Sequence, residues 1–395
     1  MQELVPMNPI PDNPRISHND PVTRNRFDRM EWAGAFGDFG TLIPFIAGYI
    51  GVLKMDPFGI LFAFGVAMLI SGAYYKTPFP VQPMKAIGAV AITQAAIITP
   101  AAVYGAGLIT GVLWLVLGLT GTAGRIAKLV PRPVVLGIIL GLGMSFMFEG
   151  TKMMATHWVI ATVGFTGSLL LLNNRKIPAM LLLLLFGLIC GGFLNPDAVR
   201  ALGAVSIGIQ LPRFVLPDLG WHDLYVGLLF LALPQLPLTL GNAIIAIREE
   251  NNRLFPDRPV TEKGVATSTG IMNLASSTVG GVPMCHGAGG MAGHVAFGAR
   301  TGGALIILGS LLLVLAVFFS GAIDALFHLF PDAILGVILF LAGAQLALGS
   351  WEFRKARAER FIMLITAAFA MWNVGVAFLA GIAASYIARR GWLKL

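Results

Sequence analysis

The chain reads as an all-α polytopic membrane protein of fourteen segments, seven in each half, built as an inverted repeat with half-helices in segments 3 and 10. Three observations predict this class. Hydrophobic residues make up 56% of the 395 positions, charged residues only 12%, and the mean hydropathy is +0.80, far more apolar than the surface of a soluble domain requires. The apolar runs fall into two equal sets. Finally, Thr77-Pro-Phe-Pro-Val-Gln-Pro-Met-Lys85 and Gly280-Gly-Val-Pro-Met-Cys-His-Gly-Ala-Gly-Gly290 interrupt those runs at matched places with prolines, glycines and polar groups. Backbone without hydrogen bonds is tolerated at bilayer depth only where protein buries it or a watery cavity receives it, so two such breaks mark a solute site.

In chain order, residues 1–27 are polar and contain prolines, with no apolar core leading to a small-residue cleavage site, so no cleaved leader is expected. Apolar segments follow near residues 31–50, 57–74, 82–98, 101–122, 132–149, 155–172 and 178–194. The second half gives 222–248, 262–278, 285–298, 302–320, 331–349, 359–372 and 374–389. Gly34, Gly37 and Gly40 recur every three residues in segment 1, and Gly289 with Gly293 forms a small-xxx-small pair in segment 10, a pattern of close helix packing. No long polar stretch lies between segments, and one membrane domain is expected.

Two offsets relate the halves. Pro80 and Pro283 lie 203 positions apart, and Gly37-Asp-Phe-Gly40 lies 197 before the similarly patterned Pro234-Gln-Leu-Pro237. An odd number of crossings per half inverts the second copy. Charge tests this count independently, because cytoplasmic loops hold the excess of Lys and Arg. With both termini inside, 22 basic residues fall inside: Arg15, Arg24, Arg26, Arg29, Lys76, Arg125, Lys128, Arg132, Arg175, Lys176, Arg248, Arg253, Arg258, Lys263, Arg300, Arg354, Lys355, Arg357, Arg360, Arg389, Arg390 and Lys394. Four fall outside, Lys54, Lys152, Arg200 and Arg213, and only Lys85 lies in the membrane. The formal charge of +8 therefore reflects orientation in a bilayer, and nucleic acid is not a predicted partner. Cys190 and Cys285 sit in or beside apolar segments and give no disulfide framework.

After each break the sequence resumes as a short helix, with Pro83 suited to a first helical turn and free N–H groups facing the cavity. A helix start carries about half a positive charge, so two starts facing one another favour an anion. Lys85 either adds charge for a doubly negative solute, pairs with Asp38 or reaches a cavity wall. Asp38, a carboxylate beside an anion site, is either a proton acceptor whose neutral form accompanies the solute or a group fixed by Lys85 or backbone N–H groups. Eight residues separate His286 from His294, a rotation of about 80° past full turns and a rise of about 12 Å, so the two cannot share a metal ion. Cys285 and His286 make only a two-ligand fragment, and no cofactor is expected; His286 reads as a polar donor in the cavity or as a helix-start residue without ligand contact. Gln82, Gln235, Thr239 and Asn242 are further polar groups in apolar surroundings that can hydrogen-bond an oxyanion or tie helices together.

The blocks Gly37-Asp-Phe-Gly-Thr-Leu-Ile-Pro44, Pro78-Phe-Pro-Val-Gln-Pro-Met-Lys85, Pro234-Gln-Leu-Pro-Leu-Thr-Leu-Gly-Asn242 and Val282-Pro-Met-Cys-His-Gly-Ala-Gly-Gly290, with Phe297-Gly-Ala-Arg-Thr-Gly-Gly303, resemble the signature blocks of the molybdate transporter family, a branch of the SulP sulfate permease superfamily. The resemblance runs from about Glu31 to the last segment. It implies the fold shared with uracil permease, in which core segments (28–122 and 221–320) slide past gate segments (123–220, with the outside loop, and 321–395), often within a homodimer. It also implies a solute held between segments 3 and 10, at Gln82, Pro83, Met84, Lys85, Gln235, Thr239, Asn242, Cys285, His286, Gly287 and Ala288. As in that branch, a C-terminal STAS domain of the kind typical sulfate permeases carry is not expected. The acidic residue that related permeases use for ion coupling in segment 8 is replaced by Gln235, which leaves Asp38 as the candidate.

The expected function is secondary active transport of molybdate, with sulfate or tungstate as further substrates, driven by proton symport across the cell (inner) membrane. A nucleobase carrier of the same fold would need a cavity carboxylate in segment 8, where Gln235 stands. An anion channel would pass flux without accumulation. An intramembrane enzyme would need a nucleophile with a base or a metal set, and the sequence offers neither.

Overall fold

The computed structural model describes residues 24–123, 125, 131–171, 179–203, 208–216, 219–348 and 357–390. Most of the N-terminal segment lies outside these residues, as do the ends of segments 6, 7 and 12. So do Arg15, Lys128, Arg175, Lys176, Arg354, Lys355 and Lys394 of the charge count.

Each predicted segment coincides with helix. Segment 1 is α1 (Arg29–Ala35) and α2 (Phe39–Ala47); α3 (Pro57–Tyr75) is segment 2; β1 (Gln82–Pro83) and α4 (Lys85–Thr93) form segment 3. Next come α5 (Pro100–Thr120), α6 (Arg132–Met154), α7 (Trp158–Leu171), α8 (Ala179–Leu194) and the short α9 (Pro196–Gly203). The second half is α10 (Trp221–Leu254), α11 (Glu262–Thr278), β2 (Met284–Cys285), α12 (Ala288–Ala296), α13 (Gly303–Leu329), α14 (Asp332–Leu348), α15 (Arg357–Ala370) and α16 (Val374–Arg389). Pro57–Tyr75, Pro100–Thr120, Arg132–Leu171, Trp221–Leu254 and Gly303–Ile323 are each long and apolar enough to cross a membrane. Large apolar side chains such as Ile70, Leu119, Leu170, Phe193 and Leu379 face outward. A surface of that kind suits lipid, and the protein is an integral membrane protein.

Local chemistry sets the helix starts. Asp56, followed by Pro57 in the first turn, accepts from the Phe58 N–H at 3.0 Å, and Thr99, followed by Pro100, accepts from Ala102 N–H at 3.0 Å. Segment 1 is broken between α1 and α2, which the apolar pattern does not foretell. There the Asp38 carbonyl accepts from the Thr41 and Leu42 N–H groups, so its side chain leaves the helix axis at the break. Within α10, Pro234 and Pro237 remove N–H donors, and the hydrogen-bond ladder widens to π-helix over Gly227–Ala232 and Thr239–Ala246. The widened turns carry Thr239 and Asn242.

Glycines spaced seven residues apart set the packing. A Cβ on Gly143 of α6 would lie 2.6 Å from the Gly343 carbonyl oxygen of α14, and one on Gly343 would lie 2.5 Å from that of Gly143. Gly150 and Gly336 repeat the contact one step along, at 2.5 and 2.6 Å. The two helices are thus antiparallel with backbones in contact, which only glycine allows. Gly65 and Gly72 of α3 meet Gly309 and Gly302 beside α13 in the same way, and α5 lies along α11. Between these pairs the two breaks meet as an antiparallel two-stranded ribbon, Gln82 opposite Cys285 and Pro83 opposite Met284.

Candidate functional site

The ribbon places two nine-residue helices, α4 and α12, immediately after the breaks, and their starts lie 203 positions apart, the offset of Pro80 and Pro283. Contrary to the sequence expectation, Pro83 is not in a helical turn. It lies in the ribbon, the next N–H, that of Met84, donates to the Pro283 carbonyl at 2.8 Å, and the helix begins at Lys85. Met84 and Gly287 occupy the cap positions, and neither contributes a capping side chain.

At the α4 start the exposed donors are taken by a side chain from another segment. The Gln235 amide oxygen accepts from Ala86 N–H at 2.8 Å and Ile87 N–H at 3.3 Å, while its NH2 donates to the Thr239 hydroxyl at 2.8 Å. The α4 N–H groups, which can only donate, therefore fix which end of the amide faces α4, and Thr239 takes the other end. The α12 start is different. Ala288 is half-buried, Gly289 is exposed, and a Cβ on Gly289 would meet no atom within 4 Å. This is open space at a helix N-terminus.

Lys85 is half-buried at the first position of α4 and, among the described residues, has neither an ion pair nor a hydrogen-bond partner. Asp38 is buried, and Gln82 NH2 donates to both its carboxylate oxygens at 2.7 Å. Gln82 is fully buried, and its amide oxygen has no partner. That oxygen lies against Gly287, close to the Asn242 NH2.

His286 is placed differently from a free cavity donor. Its Nδ1 donates to the Pro80 carbonyl at 2.8 Å, and its Nε2 lies 2.9 Å from the Ser268 hydroxyl, which Tyr75 also contacts at 2.6 Å. Both ring nitrogens are engaged, so the imidazole ties the first break to α11. Nδ1 of His294, also buried, donates to the Gly34 carbonyl at 2.7 Å and ties α12 to α1. Cys285 is buried in the ribbon and unbonded to the other cysteine. The structure thus gathers Gln82, Lys85, Asp38, Asn242, Gly287 and Ala288 around the two helix starts. Sequence reasoning missed Ser268 and Tyr75, whose only signal is a hydroxyl in an apolar run. It also missed that Gln235 reaches α4.

Solved structures with this architecture include the transmembrane domain of a cyanobacterium bicarbonate transporter, BicA, at TM-score 0.66 and 15% identity, covering 89% of this chain and 97% of that one. The murine anion transporter Slc26a9 in its inward-facing state gives 0.67 at 12% identity, covering 93% of this chain and 69% of that one. The fold is that of the SulP and SLC26 membrane transport proteins. In sequence, the family profile described as "Molybdate transporter of MFS superfamily" matches residues 30–146 and 227–346. Molybdate transporter 2 of Arabidopsis thaliana is 32% identical over 390 residues, covering 86% of this chain and 82% of its own length, and Molybdate transporter 1 of Chlamydomonas reinhardtii is 26% identical, covering 91% and 92%. The chain belongs to the molybdate transporter family. The superfamily in that description has halves of six spans, whereas the architecture of this chain is of the SLC26 kind.

Proposed function

We propose that the protein is a secondary active transporter of molybdate, with sulfate and tungstate as competing substrates, and that protons drive it. The observation that carries this reading is the unpartnered Lys85 ammonium beside two helix starts, one of them open. A lysine near the middle of a membrane costs about 3 kcal/mol, and a doubly negative tetrahedral anion offsets that cost while accepting from the N–H groups around it. Gln82, Asn242, Gly287 and Ala288 then line the seat, and Gln235, with Thr239 behind it, occupies the α4 donors that an oxygen of the anion would otherwise take. Met84, Pro83 and Cys285 shape its floor through the ribbon, and His286 holds the first break in place.

Asp38 is the proton acceptor in this reading. It is a buried carboxylate one side chain from the seat, and its neutral form removes the repulsion an anion would meet. The core, 28–122 and 221–320, moves relative to the gate, 123–220 and 321–395, to present the seat first to one side and then to the other. Both termini are cytoplasmic, the membrane is the cell (inner) membrane, and two copies form the working unit. Uptake of labelled molybdate into vesicles, with and without an inward proton gradient and with excess sulfate, tests this. Accumulation above equilibrium only with the gradient is the expected result; uptake indifferent to both anion and gradient overturns it.

A further inference from the structure

Gln82 touches both Asp38 and Gly287, and so joins the proposed proton site to the proposed seat of the anion. Its NH2 is 2.7 Å from each Asp38 oxygen, an arrangement that suits an ionised carboxylate. Its other end, a buried amide oxygen without a partner, is turned to Gly287 at the mouth of α12. An acceptor there repels an anion and leaves a buried polar atom unpaired, at a cost of about 1–3 kcal/mol. Glycine makes room for the amide on both sides. A Cβ on Gly290 would stand 2.8 Å from the Asp38 carboxylate and 2.9 Å from the Gln82 nitrogen, and one on Gly287 would overlap the Gln82 oxygen.

We infer that Gln82 is a two-position relay, its amide turning by half a rotation so that the proton on Asp38 decides whether an acceptor or a donor faces the anion. With Asp38 ionised, the NH2 is held by the carboxylate and the oxygen faces the seat. When Asp38 takes a proton from water, its new O–H donates to the amide oxygen, and the NH2 turns to the mouth of α12 to donate to the bound oxyanion. The proton stays on Asp38, and no covalent bond of Gln82 changes. Oxygen and NH2 are nearly the same size, so the exchange needs no new volume. The groups facing Asp38 from the surrounding elements are Thr41 on α2, Lys85 on α4, Cys285 on β2 and His294 on α12. Of these, the nitrogen of His294 that is seen bonded is held by Gly34. This inference rests on the reading of Asp38 as the proton acceptor.

The test is equilibrium binding of labelled molybdate to the purified full-length chain at about pH 5.5 and about pH 7.5. Wild type is expected to lose affinity as pH rises, by up to about tenfold per unit for one linked proton. Asp38→Asn removes the charge and offers the Gln82 oxygen an amide donor at every pH, and should bind at both pH values as wild type binds in acid. Gln82→Met should bind weakly with a much shallower pH slope, only the direct repulsion by the intact Asp38 remaining. A Gln82→Met protein that keeps the wild-type slope overturns the relay and leaves Asp38 coupling standing. A flat wild type, or a slope retained in Asp38→Asn, overturns the coupling reading itself. If Gln82→Met fails to fold, infrared difference spectra of wild type with isotope-labelled glutamine decide. A glutamine carbonyl band that shifts as the Asp38 carboxylic band appears supports the relay, and one that does not move overturns it.

Discussion

The side-chain oxygen of Gln235 sits on the Ala86 N–H at 2.8 Å, so a residue of α10 closes the electropositive end of α4 from outside that helix. An amide oxygen at this position stands where an oxyanion's oxygen would otherwise accept.

Replacing Gln235 by Glu tethers a carboxylate to those donors. A negative group at a helix start is worth about 0.3–2 kcal/mol, so the variant should melt higher than wild type without ligand. Molybdate should no longer raise its melting temperature, and uptake should be lost. Uptake at the wild-type rate would remove Ala86 and Ile87 N–H from the seat.

Lys85→Met deletes a charge that has no partner among the described residues. No carboxylate is orphaned, so thermal stability in detergent should hold or rise. A charge-assisted contact to the anion is worth about 1.5–3 kcal/mol, which corresponds to a Kd roughly ten- to a hundredfold weaker. Destabilisation with unchanged affinity would instead point to pairing with Asp38.

His286→Ala leaves the Pro80 carbonyl without its donor, whereas the Ser268 hydroxyl keeps Tyr75 and the Val265 carbonyl. An orphaned buried acceptor costs about 1–3 kcal/mol, so the melting temperature should fall while the folded fraction keeps its molybdate affinity. His286→Gln, with one donor and one acceptor, should recover part of the loss. A selective fall in affinity would place the imidazole on the anion.

Gly143→Leu forces a side chain into the Gly343 backbone. Overpacking of this kind costs about 1–3 kcal/mol, measurable as a lower melting temperature. Gly343→Leu acts on the same crossing, so the double variant should fall short of the sum of the two losses.

The membrane class, the fourteen segments and the two facing breaks were legible because apolar run length and the Pro/Gly clusters report backbone requirements directly. The 203-residue offset even matched the two half-helices, Lys85–Thr93 and Ala288–Ala296. The break in segment 1 was not legible, since Phe36 and Phe39 keep the run apolar across Asp38. Within the site, the sequence identified the polar side chains but not their partners. His286 and Gln235 are polar residues in apolar surroundings alike, yet one spans two segments as a tie and the other plugs a helix end. Which of these a side chain does depends on contacts 149 to 206 residues away, and local pattern carries no record of them.

The ribbon of Gln82–Pro83 against Met284–Cys285, extended by Met84 N–H on the Pro283 carbonyl, is a crosspiece of main chain joining residues some two hundred positions apart. A hinge cannot run between the tips it joins without tearing hydrogen bonds that no solvent would replace at that depth. Cargo seated there is carried by one stiff unit, and whatever opens the path on either side has to bend somewhere else in the chain.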